Sequence, residues 1–346
     1  MIVNVKKIDI KSCTLSELEK TLNLPKFRSK QIFHWLHQKH VTSFNEMTNI
    51  SFELRNELEN RFYIYTPKIK KTIKSKDGTI KYLLELEDCE HIECVVLRDR
   101  KGRQSVCVSS QVGCALGCHF CATAKMGFTR NLSVSEILSQ VYLIAAQNCK
   151  PHNHKTINNI VFMGMGEPFL NYDNVLKAIK ILNFSEGINI GARKITISTC
   201  GFVDGIRKLA EEEIQVRLAV SLNAAVDKIR SLLMPINNTY PLRKLREAIL
   251  FYQKKTGRRV TLEYILLDCV NDYLEDLESL ADFCRGLNVN VNLVPYNFLK
   301  GTFKGSPKKI VEVFINELSK RGIEVVERIS RGGDIEAGCG QLAFRA

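Results

Sequence analysis

The sequence predicts an α/β protein: a parallel sheet crossed by helices, preceded by a small helical unit and a short antiparallel extension. Three observations lead there. Residues 105–327 alternate apolar runs of strand length with helical patterns, as βαβ units do. Residues 1–64 carry helical signals. Between them, residues 66–97 change to a period of two around the turn Lys76-Asp77-Gly78. A chain of 346 residues, 45% of them apolar, can build one large domain and a small one. Its apolar runs fall short of the ~20 residues a membrane helix needs. The start, Met1-Ile2-Val3-Asn4-Val5-Lys6-Lys7, lacks the apolar core of an export signal, so secretion is not expected.

Taken in order, Thr14 and Glu17 form a capping box ahead of Leu18, Leu22 and Leu24. A second helix follows Pro25 with Ile32, Phe33, Trp35 and Leu36; a third covers 51–62. Lys26, Arg28, Lys30 and Lys39 make this unit basic, which suits either a solvated face or a nucleic-acid-binding appendage. Ile69, Thr72 and Ile73, then Ile80, Tyr82 and Leu84, predict a hairpin, and 93–97 another strand that stops at Arg98-Asp99-Arg100. Strands follow at 105–110, 157–163, 194–199, 216–221, 260–266 and 289–294, with a candidate seventh at 322–327. Helices fill the gaps: one from the Ser133/Glu136 cap to about 147, then 173–184, 203–212, 242–255, 273–286 and 307–321. Six strands fall short of the eight of a closed barrel. An open partial barrel and a doubly wound sheet both accommodate them.

Ligands of parallel α/β folds sit at the C-terminal ends of strands. The unusual motifs fall there: Gly113-Cys114, Gly164-Met165-Gly166-Glu167, Cys200-Gly201, Asn223 and Pro295-Tyr296-Asn297. One shared pocket is expected. Twelve cysteines in a chain without an export signal point to buried thiols, metal ligands or reactive groups, not disulfides. Cys114, Cys118 and Cys121 cluster as CxxxCxxC. On a helix they would share a face and pack as small apolar residues. Gly113 and Gly117 argue for a loop, since each glycine costs a helix about 1 kcal/mol. Structural zinc needs a fourth ligand, and His119 is awkwardly placed to be it. An iron–sulfur cluster can use three thiolates and leave one iron open.

CxxxCxxC after the first strand, with Gly164-Met165-Gly166-Glu167-Pro168 after the second, resembles the radical S-adenosylmethionine (SAM) enzymes. The wider strings are similar to the RlmN family, dual-specificity ribosomal and transfer RNA adenine C2 methyltransferases. These strings are Cys107-Val-Ser-Ser-Gln-Val-Gly-Cys114, Met126-Gly-Phe-Thr-Arg-Asn131, Phe162-Met-Gly-Met-Gly-Glu-Pro168, Leu233-Met-Pro-Ile-Asn237 and Asp334-Ile-Glu-Ala-Gly-Cys339-Gly-Gln-Leu342. The resemblance spans nearly the whole chain. It implies an open partial (β/α)6 TIM-like barrel at 100–346, an N-terminal helical RNA-binding accessory domain at 1–64 and a β extension at 65–99 that carries Glu93.

The resemblance also implies one [4Fe–4S] cluster on Cys114, Cys118 and Cys121, with SAM on the open iron and two SAM used per turnover. Gly164, Gly166, Glu167, Ser198, Ser221, Leu222, Asn223 and Asn297 would surround SAM. Cys339 would carry the methyl group, Cys107 would resolve the RNA adduct through a transient disulfide, and Glu93 would accept the substrate proton. The implied targets are an adenosine of 23S rRNA in the peptidyl transferase centre and one in the tRNA anticodon loop. An electron donor such as flavodoxin or ferredoxin, a cytoplasmic monomer and no membrane complete the expectation.

Many relatives carry His where this chain has Asn223, and Ala where it has Gly338, a change expected only to add flexibility. The glycine-rich segment around Cys339 is expected to be mobile. Cys13, Cys89, Cys94, Cys149, Cys200, Cys269 and Cys284 receive no chemistry, with Cys94 and Cys200 read as packing residues. The net charge of +13 suits a polyanion. Lys68, Lys70, Lys71, Lys74 and Lys76, with Lys300, Lys304, Lys308 and Lys309, are the expected phosphate contacts. Two alternatives remain: the related enzyme type that methylates adenine at C8 and confers antibiotic resistance, and a non-catalytic, zinc-dependent RNA-binding protein.

Overall fold

The computed structural model describes residues 7–99, 101–148, 157–297 and 303–343; Arg100, Cys149 and Lys300 lie outside them. The N-terminal unit folds as its local signals dictate. Helix α1 (Leu15–Leu22) begins at Thr14, whose capping box with Glu17 is fully formed. Helix α2 (Lys26–His37) follows Pro25, and α3 (Phe52–Arg61) is capped by Ser51 Oγ, which accepts from Leu54 N–H at 3.3 Å. Leu18, Ile32, Phe33 and Leu36 are buried in an apolar core continuous with that of the sheet.

Strands β1 (Lys68–Lys74), β2 (Ile80–Glu85), β3 (His91–Arg98) and β4 (Gln104–Cys107) form an antiparallel meander. From β4 onward the sheet is parallel. Helix α4 (Val134–Asn148) leads to β5 (Asn159–Phe162), α5 (Tyr172–Asn183) to β6 (Ile195–Thr199), and α6 (Val203–Ala210) to β7 (Arg217–Ser221). Helices α7 (Asp227–Leu233) and α8 (Leu242–Thr256) precede β8 (Val260–Leu266), α9 (Leu274–Cys284) precedes β9 (Val289–Pro295), and α10 (Lys308–Lys320) precedes β10 (Glu324–Glu327). The ten strands lie in chain order within one open sheet.

The candidate seventh parallel strand is therefore present as β10, and the extension is continuous with the barrel through the β3–β4 pairing. The first parallel strand stops at Cys107, short of the expected 110. Residues 108–110 instead bond to the next strand end: Gly164 N–H donates to Val108 O (3.1 Å) and Ser110 N–H to Met165 O (2.8 Å). Helix α7 has no counterpart in the sequence reading; seven residues give too short a run for a periodic signal. The edge strand β1 is mostly exposed and lysine-rich, a composition that itself discourages edge-to-edge pairing. Among the described residues no helix is long and apolar enough to cross a membrane.

Polar groups are sealed where the N-terminal unit meets α4. His37 Nδ1 lies 2.8 Å from Tyr142 Oη, and His40 stacks on the Tyr142 ring at 4.5 Å. The buried Lys11 ammonium donates to Tyr65 O and, at 3.3 Å, to Ser139 Oγ. Burial penalises the charged imidazole, and Lys11 adds repulsion. His40 is pushed down to about 4, and His37 is held well below its ordinary 6.5. The unfolded chain takes up these protons near 6.5, so their contribution is complete above that pH and is lost as pH falls toward 4. Urea midpoints measured across this window should fall with acidification, and His40→Gln should flatten the slope. A slope identical in His40→Gln would contradict the assignment.

Candidate active site

After β4 the chain leaves the sheet as a loop closed at its base by a two-stranded ribbon, Gln111–Gly113 against Phe128–Asn131. Cys114 N–H donates to Gly127 O at 2.7 Å. The backbones approach so closely that a Cβ on Gly113 would lie 1.9 Å from that oxygen, and Gly113 adopts φ +72°. Only glycine suits the position. The loop's far side is tied to the barrel: His119 N–H donates to Leu233 O (3.0 Å) and Ala122 N–H to Gly340 O (2.7 Å). Cys114, Cys118 and Cys121 are thus held on a loop, not a helix, and the His119 side chain is exposed.

The three thiols line one end of a cleft of about 940 Å³ at the C-terminal ends of the parallel strands. Burial pushes Cys114 up to about 12 and raises Cys121. Cys118 is lowered, chiefly by a hydrogen bond from the Cys200 thiol, whose Sγ is 3.9 Å away. Among the described residues no three His, Cys, Asp or Glu side chains converge closely enough to hold a single metal ion. Three thiols spread around a cleft suit a polynuclear iron–sulfur group better than tetrahedral zinc, which needs four convergent ligands.

The cleft wall comes from the next strand ends. Glu167 is buried; its Oε1 accepts from Phe169 N–H (3.1 Å) and its Oε2 from Cys200 N–H (2.8 Å). Burial raises its pKa, and these donors oppose the rise. A cationic group placed against it would relieve the cost of a buried carboxylate. Gly166 has φ +94°, and a Cβ there would lie 2.5 Å from Gln111 Cβ. This glycine first allows the strand end to pack on Gln111, a reason beyond ligand approach. The Gln111 amide accepts from Glu167 N–H (2.8 Å) and donates to Asn131 Oδ1 (2.7 Å), joining wall and ribbon.

Ser198, Ser221 and Asn223 also line the cleft. Asn223 takes the left-handed region (φ 56°), and its amide is engaged internally, accepting from Ile265 N–H at 3.0 Å and donating toward Met234 Sδ at 3.3 Å. Leu222 is not part of the wall. It is fully buried in the main core with Leu218 and Val220, because alternate residues of a strand point to opposite faces. Asn297 lies outside this part of the cleft; its Nδ2 donates to Cys339 O at 3.2 Å and its Oδ1 accepts from Ser330 Oγ. Arg230, which carried no sequence signal, is fully buried and braces the wall. It donates to Leu222 O (3.0 Å), Cys200 O (2.7 Å) and Asn237 Oδ1 (2.9 Å), which gives the Leu233–Asn237 string a structural purpose.

Cys107 and Cys339 both line an adjoining lobe of about 1210 Å³, and Cys339 and Arg328 line both lobes. Burial pushes Cys107 up to about 12, with Cys339 adding to the rise. The Arg328 guanidinium, also unforeseen, reaches Glu263 at 3.3 Å and faces both thiols, with Cys339 the stronger influence on it. Glu93 is buried under the same segment. It pairs with Lys81 at 3.0 Å and accepts from Ala343 N–H at 3.0 Å, and it lines neither lobe.

The segment around Cys339, expected to be mobile, is fastened along its length. Ser75 Oγ donates to Asp334 Oδ1 (2.6 Å), Gly332 N–H to Asp77 Oδ2 (2.9 Å) and Lys81 Nζ to Glu336 O (3.0 Å). Gly338 does more than add flexibility, since a Cβ there would lie 2.4 Å from Asn297 Nδ2. Of the remaining cysteines, Cys94 and Cys284 are buried, Cys13 is half-buried, and Cys89 and Cys269 are exposed. Cys200 lines the cleft beside Cys118, so packing does not describe it. Lys68 and Lys70 lie against Glu85 (3.6 and 2.9 Å) and Lys308 against Glu312 (3.8 Å), while Lys71, Lys74, Lys76, Lys304 and Lys309 are exposed.

Comparison with known proteins matches this geometry to a family. Residues 108–284 match the radical SAM superfamily, and residues 7–64 match the ribosomal RNA large subunit methyltransferase N-terminal domain. The chain is 48% identical over 318 residues to a "Probable dual-specificity RNA methyltransferase RlmN" of Staphylococcus carnosus, covering 92% of this chain and 86% of that one. It is 46% identical over 337 residues to the protein so named in Geobacillus thermodenitrificans, covering 96% and 92%. The crystal structure of a radical SAM methyltransferase from Sphaerobacter thermophilus superposes with a TM-score of 0.92 at 43% identity, over 97% of this chain and 99% of that one. With the three-thiol loop, the Glu167 wall and both family segments in place, the chain belongs to the RlmN family of the radical SAM superfamily.

Proposed function

We propose that this chain methylates C2 of adenosine in RNA, in 23S rRNA and in the tRNA anticodon loop, with Cys339 as the carbon carrier. The observation that carries the reading is that Cys339 lines both the lobe of the cluster cysteines and the lobe of Cys107. A [4Fe–4S] cluster on Cys114, Cys118 and Cys121 with bound SAM supplies a carbon-centred radical oxidant, chemistry that side chains alone cannot provide. Glu167 offers its buried carboxylate to the SAM ammonium, and Ser198 and Ser221 offer hydroxyls along the wall.

C2 of adenine is electron-poor and resists ordinary methyl transfer, so a thiol that first takes the methyl group has a clear purpose. Once the carrier carbon, short of one hydrogen, has bonded to C2, Glu93 is the base that accepts the C2 proton, and the odd electron would return to the cluster. The Cys107 thiolate then attacks the Cys339 sulfur, the sulfur–carbon bond breaks, and a Cys107–Cys339 disulfide forms. The released carbon leaves with the bonding electron pair and takes a proton. Arg328, facing both thiols, favours the ionised form of Cys107 against the burial that raises its pKa. Lys71, Lys74 and Lys76 on the edge hairpin are exposed for phosphate contact, which positions RNA without reading its sequence.

Replacing Cys107 by Ala removes the resolving thiol, so RNA should remain joined to Cys339 and co-migrate with the protein in denaturing gels. Absence of the adduct under conditions where wild type turns over would overturn the reading. Lys81 holds the Glu93 carboxyl below the value that burial alone would impose. In Lys81→Met the Glu93 pKa should rise, moving the acid limb of the pH–rate profile to higher pH. An unmoved limb would remove Glu93 from the base role.

A further inference from the structure

Cys200 follows β6 and lines the cleft beside the three-cysteine loop. Its backbone is fixed at both ends: the N–H donates to Glu167 Oε2 (2.8 Å), and the C=O accepts from Arg230 Nη2 (2.7 Å). Gly201 next to it has φ +98°, and a Cβ there would lie 2.9 Å from Arg230 Nη2, so the turn leaves little choice of path. The thiol is thereby aimed at the loop, with its Sγ 3.9 Å from Cys118 Sγ, a sulfur hydrogen-bonding distance. Either sulfur can be the donor in the free protein. Once Cys118 ligates a metal it is a thiolate and has no proton to give, which leaves Cys200 as the donor.

We propose that the Cys200 S–H donates a hydrogen bond to the ligating sulfur of Cys118 and so raises the reduction potential of the bound cluster. The inference rests on the reading of the three-thiol loop as the cluster's ligand set. The physical reason is charge. A cluster with thiolate ligands in a buried cleft gains negative charge on reduction, and burial makes that costly. A donor on a ligand sulfur draws electron density away and favours the reduced form. One other acceptor competes for the same proton: the Glu167 carboxylate is also within hydrogen-bonding reach of the thiol. That carboxylate already accepts backbone N–H groups from Cys200 and Phe169, whereas the Cys118 sulfur is otherwise served only by its own backbone N–H among the described residues.

The test is a reductive titration of the anaerobically reconstituted full-length chain, without SAM, followed by electron paramagnetic resonance. Cys200→Ala should keep its iron and sulfide but reduce at a more negative potential than wild type. Cys200→Ser retains a donor and should recover most of the difference. An unchanged potential in Cys200→Ala would overturn the proposal. If that variant instead bound SAM more weakly at an unchanged potential, the thiol would serve Glu167. A Cys200→Ala protein that binds no iron would make Cys200 a ligand and not a donor, again overturning the proposal. A wild-type chain that assembles no cluster would overturn both this inference and the function on which it rests.

Discussion

The backbone contact between Gly113 and Gly127 is the constraint on which the site depends. Cys114 N–H reaches Gly127 O at 2.7 Å, an approach that no side chain at position 113 would permit. The contact closes the base of the cysteine loop at the end of the two-stranded ribbon. Gln111, in the same ribbon, carries the order onward by holding Glu167 N–H and Asn131. Glu167 in turn holds Cys200, and Arg230 holds Cys200 from the other side. Loop, carboxylate wall and strand ends thus form one connected set, each polar group satisfied by the next.

Buried charge is the second theme. Glu93–Lys81, Arg328–Glu263 and Arg230 all sit where water is scarce. Such groups are expensive to bury and seldom add stability, so their retention points to positioning. Lys81 shows this best: it neutralises Glu93 and also grips Glu336 O, so the carboxylate and the Cys339 segment are held by one ammonium group. The edge hairpin also grips that segment, Asp77 holding Gly332 N–H and Ser75 holding Asp334. The basic, exposed face of that hairpin and the segment carrying Cys339 are therefore mechanically connected.

What could be read from sequence follows the range of the interaction. The Thr14 capping box, the strand–helix alternation and the loop demanded by Gly113 and Gly117 are local, and all are present. The Leu222 side chain lies in the core, where period-two alternation from Ser221 and Asn223 points it. Arg230 and Arg328 were invisible because their roles exist only after distant strand ends meet. Cys200 read as packing for the same reason, since Cys118 is 82 residues away along the chain. The fastening of the Cys339 segment depends on Asp77 and Lys81 in the hairpin, a pairing that glycine content alone cannot suggest.

The proposed function routes the carbon through Cys339 instead of directly from SAM to RNA. Purified protein, reduced anaerobically with its RNA, should be supplied with SAM deuterated in the methyl group, and the digested nucleosides weighed by mass spectrometry. The account predicts 2-methyladenosine carrying two deuterons, the third having been abstracted while the methyl group was on Cys339 and replaced from solvent. Intact transfer of three deuterons, or methylation at C8, would contradict it.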